Sequence, residues 1–212
     1  MRRIGWITAL ALVLAGCEGR QRFETFPAFR FASAEVRPCT IGYRTWGELD
    51  ETGDNAVLIA PWHAGRSGEL AHEVGADAFV DPRRHFVVIV DPPGNGVSCS
   101  PSHEPERFPR LSIADMVESQ RLLLESLGVR RLRAVVGTSM GGMQALLWGA
   151  IHPDRVERVV AIASTPHPTE ADRARWSREI EAMRGRSRAA RAASALAIGR
   201  WRDGLWHARR AS

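Results

Sequence analysis

The stretch that decides the fold is 132–151. It begins Leu132-Arg133-Ala134-Val135-Val136, bends through Gly137-Thr138-Ser139-Met140-Gly141-Gly142, and continues through Gln144, Leu146, Leu147 and Trp148 toward Pro153. The opening segment is apolar and too short for a helix, so it reads as a buried strand, whereas the closing one has helical length and is stopped by Pro153. A Gly-x-Ser-x-Gly turn between a strand and a helix is the signature of a nucleophile elbow. Such a bend forces Ser139 into a strained backbone conformation, and glycine at 137 and 141 removes side chains that would collide across it. Gly142 adds room for close helix-strand contact. The turn also sets Ser139 at a helix N-terminus, where the backbone N–H of Met140 can point at a developing oxyanion.

The flanking sequence repeats the alternation of strand and helix. Residues 56–60 and 86–90 are continuous apolar runs bounded by turn residues, which predicts strands buried on both faces. Residues 36–46 alternate loosely and end at Gly47, as an early antiparallel strand would. Between the two buried strands, 69–80 has the composition of a helix. Ser112 and Asp115 form a capping-box start for a helix that Gly128 stops, and 156–163 reads as a fourth strand. Strands alternating with helices predict an α/β fold, a mostly parallel sheet with helices on both faces.

Composition narrows the class. The chain has 212 residues, 44% hydrophobic and 25% charged, which suits one globular core and excludes coiled-coil, collagenous and polytopic membrane classes. All 29 basic residues are arginine; residues 1–172 hold 18 of them against 21 acids, while 173–212 hold 11 against 3 acids. The basicity therefore belongs to the tail and not to a patterned face, and no nucleic-acid partner is expected. Arg2 and Arg3, the apolar residues 4–15 and Leu14-Ala15-Gly16-Cys17 form an export signal. The last four residues resemble a bacterial lipobox, which implies acylation of Cys17, a membrane partner and a lipid-anchored place in the cell envelope outside the cytoplasm. Residues 1–16 would be the signal and 17–35 a tether. An exported chain could oxidise Cys39 and Cys99 to one disulfide, or leave two free thiols. No Cys/His cluster has metal-ligand spacing, and no dinucleotide fingerprint occurs.

Several strings carry a family resemblance. Tyr43-Arg44-Thr45-Trp46-Gly47-Glu48-Leu49-Asp50, Asn55-Ala56-Val57-Leu58-Ile59, the run from Gly137 to Leu146 with Trp148, and Pro153-Asp154-Arg155-Val156 resemble the homoserine O-acetyltransferase family of α/β-hydrolase-fold enzymes over about residues 36–183. The resemblance implies acyl transfer through an acyl-serine on Ser139. It also implies a second oxyanion donor in the loop 61–65, most plausibly the backbone N–H of His63. No bound cofactor is implied; acetyl-CoA would be a co-substrate of a transferase, and a small acyl donor or ester is the expected partner. The loops 61–65 and 95–101 depart from the wording usual in members that acetylate homoserine, and the Gly-Asn-Gly-x-Ser-x-Ser-Pro-Ser string that begins at Gly94 is closer to relatives described only as α/β hydrolases, so ester hydrolysis stands beside acetyl transfer.

In this fold the acid and the histidine follow the serine. His152 lies 13 residues along the same helix, about 20 Å away at 1.5 Å per residue, His167 follows the fourth strand without an evident acid, and His207 lies in the tail. Residues 170–183 resemble the start of the family's lid helix, and from Arg184 the pattern dissolves into Arg, Ala, Ser and Trp. The expected organisation is thus a core at 36–169, then a lid start and aberrant tail at 170–212. The late strands and most of the lid would be missing through truncation or a frameshift near Arg184. The alternative to an acyl enzyme is an inactive fragment or pseudoenzyme without the triad Asp and His.

Overall fold

Every residue of Ala56–Ala60 is buried, as are four of the five in Phe86–Val90. Their side chains divide by parity. Leu58, Val88 and Val90 join one apolar cluster with Phe29, Ile41, Tyr43, Leu132 and Val135, while Val57, Ile59, Val87 and Ile89 join another with Leu70, Val80 and Val136. A strand with apolar residues on both faces is stable only between two covering layers, which makes these the centre of the sheet. The computed structural model describes residues 19–104 and 107–183.

The sheet has six strands: β1 (Arg22–Arg30), β2 (Val36–Trp46), β3 (Ala56–Ala60), β4 (Phe86–Val90), β5 (Leu132–Thr138) and β6 (Val159–Ile162), in the order β1-β2-β4-β3-β5-β6. β1–β2 and β2–β4 are antiparallel; β4–β3, β3–β5 and β5–β6 are parallel. α1 (Ile113–Ser126) and α2 (Met140–Ile151) cover the first cluster through Val117, Leu123, Leu124, Ala145 and Trp148. α1 starts on the expected capping box: Ser112 Oγ accepts from Asp115 N at 3.3 Å, and Asp115 Oδ2 accepts from Ser112 N at 2.7 Å. The described chain forms two units, one ending at Pro166 and one beginning at His167. The second holds α3 (Glu170–Met183), capped by Thr169 and Asp172.

The structure corrects three expectations and settles one left open. The supposed tether of 17–35 contains β1, whose residues Arg22 to Phe26 pair with Tyr43 to Cys39. It is an edge strand of mixed polarity with Pro27 at an irregularity, a composition that hides its pairing. The helix expected at 69–80 is a three-residue 3-10 turn, Ala71–Glu73, followed by a bridge between Val74 and Val80. Among the described residues of the first unit, this irregular segment packs on the second face of the sheet through Leu70, Val74 and Val80. β6 begins at Val159, because Pro153–Arg155 closes a further 3-10 turn and Val156 makes only a bridge to Leu132. Cys39 and Cys99, left open by the sequence, are joined in a disulfide.

Candidate active site

Ser139 lies between β5 and α2 with φ 56° and ψ −118°. For a residue with a Cβ this is a strained conformation, costing about 1–3 kcal/mol, and it persists only where the surroundings enforce it. They do so from three sides. Ser139 N donates to Ile162 O of β6 at 2.9 Å, and Ser139 O accepts from Met143 N at 3.1 Å. Gly137 pairs with Ala60 on β3 and with Ala161 on β6. The serine thus sits at the C-terminal edge of the parallel strands, half-buried, with its hydroxyl uncommitted to capping.

The glycines of the turn are dictated by distance. A Cβ at Gly137 would stand 2.1 Å from the carbonyl of Gly141, and one at Gly141 would stand 2.0 Å from Ala60 O and 2.8 Å from Pro61 O. The expected collision across the bend is thus present for Gly137, while Gly141 is small so that the loop after β3 can lie against the helix. Gly142 would bring a Cβ within 2.5 Å of Ser164, in the segment after β6. A buried amide chain steadies the helix: Trp148 Nε1 donates to Gln120 Oε1 at 2.8 Å, Gln120 Nε2 to Gln144 Oε1 at 2.6 Å, and Gln144 Nε2 to Met140 O at 3.3 Å.

The loop 61–65 leaves β3 directly beside this turn. Gly65 N donates to Trp62 O at 2.9 Å, Ala64 has φ 60°, and the exposed His63 lies inside the resulting turn. The amides of Met140 and His63 thus belong to two backbone segments in contact at Gly141, as an oxyanion site needs. His152 caps the far end of α2, its ring centroid 4.9 Å from that of Trp148. Burial foremost, then the Arg121 and Arg155 charges, holds it below the ordinary histidine value. His167 opens the second unit. The Ser139 side chain makes no capping hydrogen bond to α2. Cys17, His207 and the tail from Arg184 lie outside the described residues.

Sequence reasoning passed over a buried polar cluster behind the loop. Asp91, fully buried at the end of β4, accepts four hydrogen bonds: from Ser67 N (2.8 Å), Ser67 Oγ (2.6 Å), Gln21 Nε2 (3.0 Å) and Asn95 Nδ2 (3.0 Å). Asn95 Nδ2 also donates to Gly65 O at 3.2 Å. The signal was available as an aspartate immediately following a fully apolar strand, a place where a carboxylate is buried only when donors meet it.

An edge serine on a strand-turn-helix bend, in a sheet of this strand order, defines a class, and comparison agrees. Residues 63–196 match the alpha/beta hydrolase fold family. The chain belongs to that family, in its homoserine O-acetyltransferase and esterase branch. It is 38% identical over 189 residues to a homoserine O-acetyltransferase of Leifsonia xyli subsp. xyli, covering 78% of this chain and 47% of that one. It is 36% identical over 145 residues to a probable esterase of Corynebacterium glutamicum, covering 65% and 42%. An acetylester hydrolase structure from Corynebacterium glutamicum superposes with a TM-score of 0.66 at 32% identity, covering 72% of this chain and 46% of that one. The chain spans about half the length of these relatives.

Proposed function

We propose that this chain carries a serine acyl-transfer site acting on small acyl esters, acetyl esters first among them. The observation that carries it is the φ of 56° at Ser139, held on the sheet edge beside the loop after β3. Ser139 Oγ attacks the ester carbonyl, the N–H groups of Met140 and His63 stabilise the oxyanion, and the alcohol departs to leave an acyl-serine. Water then releases the acid, or an acceptor hydroxyl takes the acyl group. The Ser139 proton passes to a base or to solvent as the bond to the carbonyl carbon forms. An oxyanion site and binding alone still give ~10³-fold acceleration over water. The acetyl esterases and acetyltransferases among the relatives support the acyl class.

A second reading is a chain that folds and binds but does not turn over. Purified protein incubated with p-nitrophenyl acetate, beside Ser139→Ala, separates the two. A burst of one p-nitrophenol per chain, lost in Ser139→Ala, supports the acyl enzyme; equal background rates in both overturn it. Acetyl-CoA with and without homoserine, followed by thiol release, tests transfer against hydrolysis.

The protein is further proposed to be a lipid-anchored envelope protein attached through Cys17. The lipobox-like residues 14–17 carry this proposal, and the disulfide between Cys39 and Cys99 fits an oxidising compartment without bearing on the anchor itself. Mass spectrometry of the membrane-extracted chain should find Cys17 as a diacylated N-terminus; an unmodified N-terminus at Met1 would exclude it.

A further inference from the structure

The buried carboxylate of Asp91 takes no part in the chemistry above, yet it gathers more donors than any other side chain near the site. Two of its four come from Ser67, backbone and hydroxyl, which closes the loop following β3. A third comes from Asn95, whose same amide group reaches the Gly65 carbonyl. Asn95 is itself fixed, because its Oδ1 accepts from Val97 N at 2.9 Å and Ser98 N at 3.2 Å. The Asp91 main chain is fixed as well: its N–H donates to Gly42 O at 2.8 Å, and its carbonyl accepts from Ser98 Oγ at 2.5 Å.

His63 therefore lies between two pinned points. On one side Ala60 is registered against Gly137 in the sheet. On the other, Gly65 and Ser67 are held by Asn95 and Asp91. A span of four residues between fixed ends leaves its middle amides little freedom, and charge-assisted bonds are the strong kind of pin. We propose that Asp91, with Asn95 as its bridge, is the positioning residue of the oxyanion loop, setting where the His63 N–H stands relative to that of Met140. This rests on the acyl-transfer reading for its catalytic consequence, but its structural half stands alone.

The chemistry of the cluster also predicts which substitution is tolerated. In Asp91→Asn one oxygen remains to accept from Ser67 N and Asn95. The new amide can donate to Gln21 Oε1, and the Ser67 hydroxyl can reverse. Asp91→Ala leaves the buried Ser67 N–H without its acceptor and takes the carboxylate from Ser67 Oγ, Gln21 Nε2 and Asn95 Nδ2, which keep only their weaker partners.

The test uses the full chain with Asp91→Ala, Asn95→Ala and Asp91→Asn, reading amide hydrogen exchange and p-nitrophenyl acetate kinetics together. The expected result is exchange at 62–67 faster by tenfold or more in the two alanine variants, with β3 and β5 amides unchanged. Initial acylation should fall about 100-fold, as when an oxyanion donor is lost, with KM nearly constant and Asp91→Asn restoring most of both. Unchanged exchange at 62–67, or an increase spread evenly over the sheet, overturns the proposal. So does a loosened loop with undiminished acylation in a chain whose burst depends on Ser139. If Ser139→Ala behaves as wild type, acyl chemistry fails while exchange still decides the clamp. If Asp91→Ala does not fold, Asn95→Ala and Asp91→Asn carry the same comparison.

Discussion

A methyl group on Gly141 would have to share space with two carbonyl oxygens, at 2.0 and 2.8 Å, both part of backbone that cannot swing away. Gly141→Ala should therefore destabilise the fold by about 3 kcal/mol or more, the upper range for overpacking. Gly75→Ala, whose Cβ would meet only the Ala78 methyl at 3.5 Å, should be close to neutral. Urea midpoints of the two variants test the contrast. His152 makes a second prediction at this scale. Burial, followed by Arg121 and Arg155, depresses its folded pKa below the unfolded value of about 6.5. The unfolded chain then binds the extra proton first, so this contribution to stability is complete above pH 6.5 and is lost as pH falls toward the folded pKa. Comparing unfolding at pH 7.5 and 5.5, His152→Leu should show a shallower acid loss than the parent.

Among the elements, α1 and α2 are joined by more than apolar packing. Gln120, Gln144 and Trp148 are each fully buried and hydrogen-bonded in series. Gln120→Leu leaves the Trp148 N–H and the Gln144 carbonyl without partners and should cost about 2 kcal/mol, while adding Gln144→Leu should cost less than the sum of the singles. A double-mutant cycle in urea measures it. The elements written plainest in the sequence are those whose local signals agree with their surroundings: the elbow, the twice-buried β3 and β4, and α1 with its cap. Where tertiary forces overrode local ones, the reading failed. The alanines and glutamates of 69–80 favour a helix, but Gly75 interrupts the segment and its backbone folds back on itself, Gly75 N donating to Val80 O and Val80 N to Glu73 O at 3.0 Å each, while Leu70, Val74 and Val80 pack on the sheet. β1 was hidden because an edge strand needs no apolar alternation to pair. The candidate nucleophile was legible because the elbow's glycines are a local steric necessity. The Asp91 cluster was not, since its members come from positions 21, 67, 91 and 95 and meet only once the sheet is assembled.

At the scale of the whole molecule, the disulfide spans 60 residues, from β2 to the loop after β4, and encloses β3 and β4. In the chain-entropy account a closure of that length lowers the free energy of the folded state relative to the unfolded by about 4 kcal/mol. Dithiothreitol should lower the urea midpoint accordingly, and Cys39→Ser should reproduce the reduced value without reductant. The docking of the chain's early residues has a different reach. Gly19 N donates to Thr45 O at 2.8 Å, Arg44 holds the Gly19 carbonyl, and Gln21 reaches into the Asp91 cluster. If the proposed acylation of Cys17 is found, the lipid is joined two positions before the docked Gly19, a reach of at most about 7 Å along the chain.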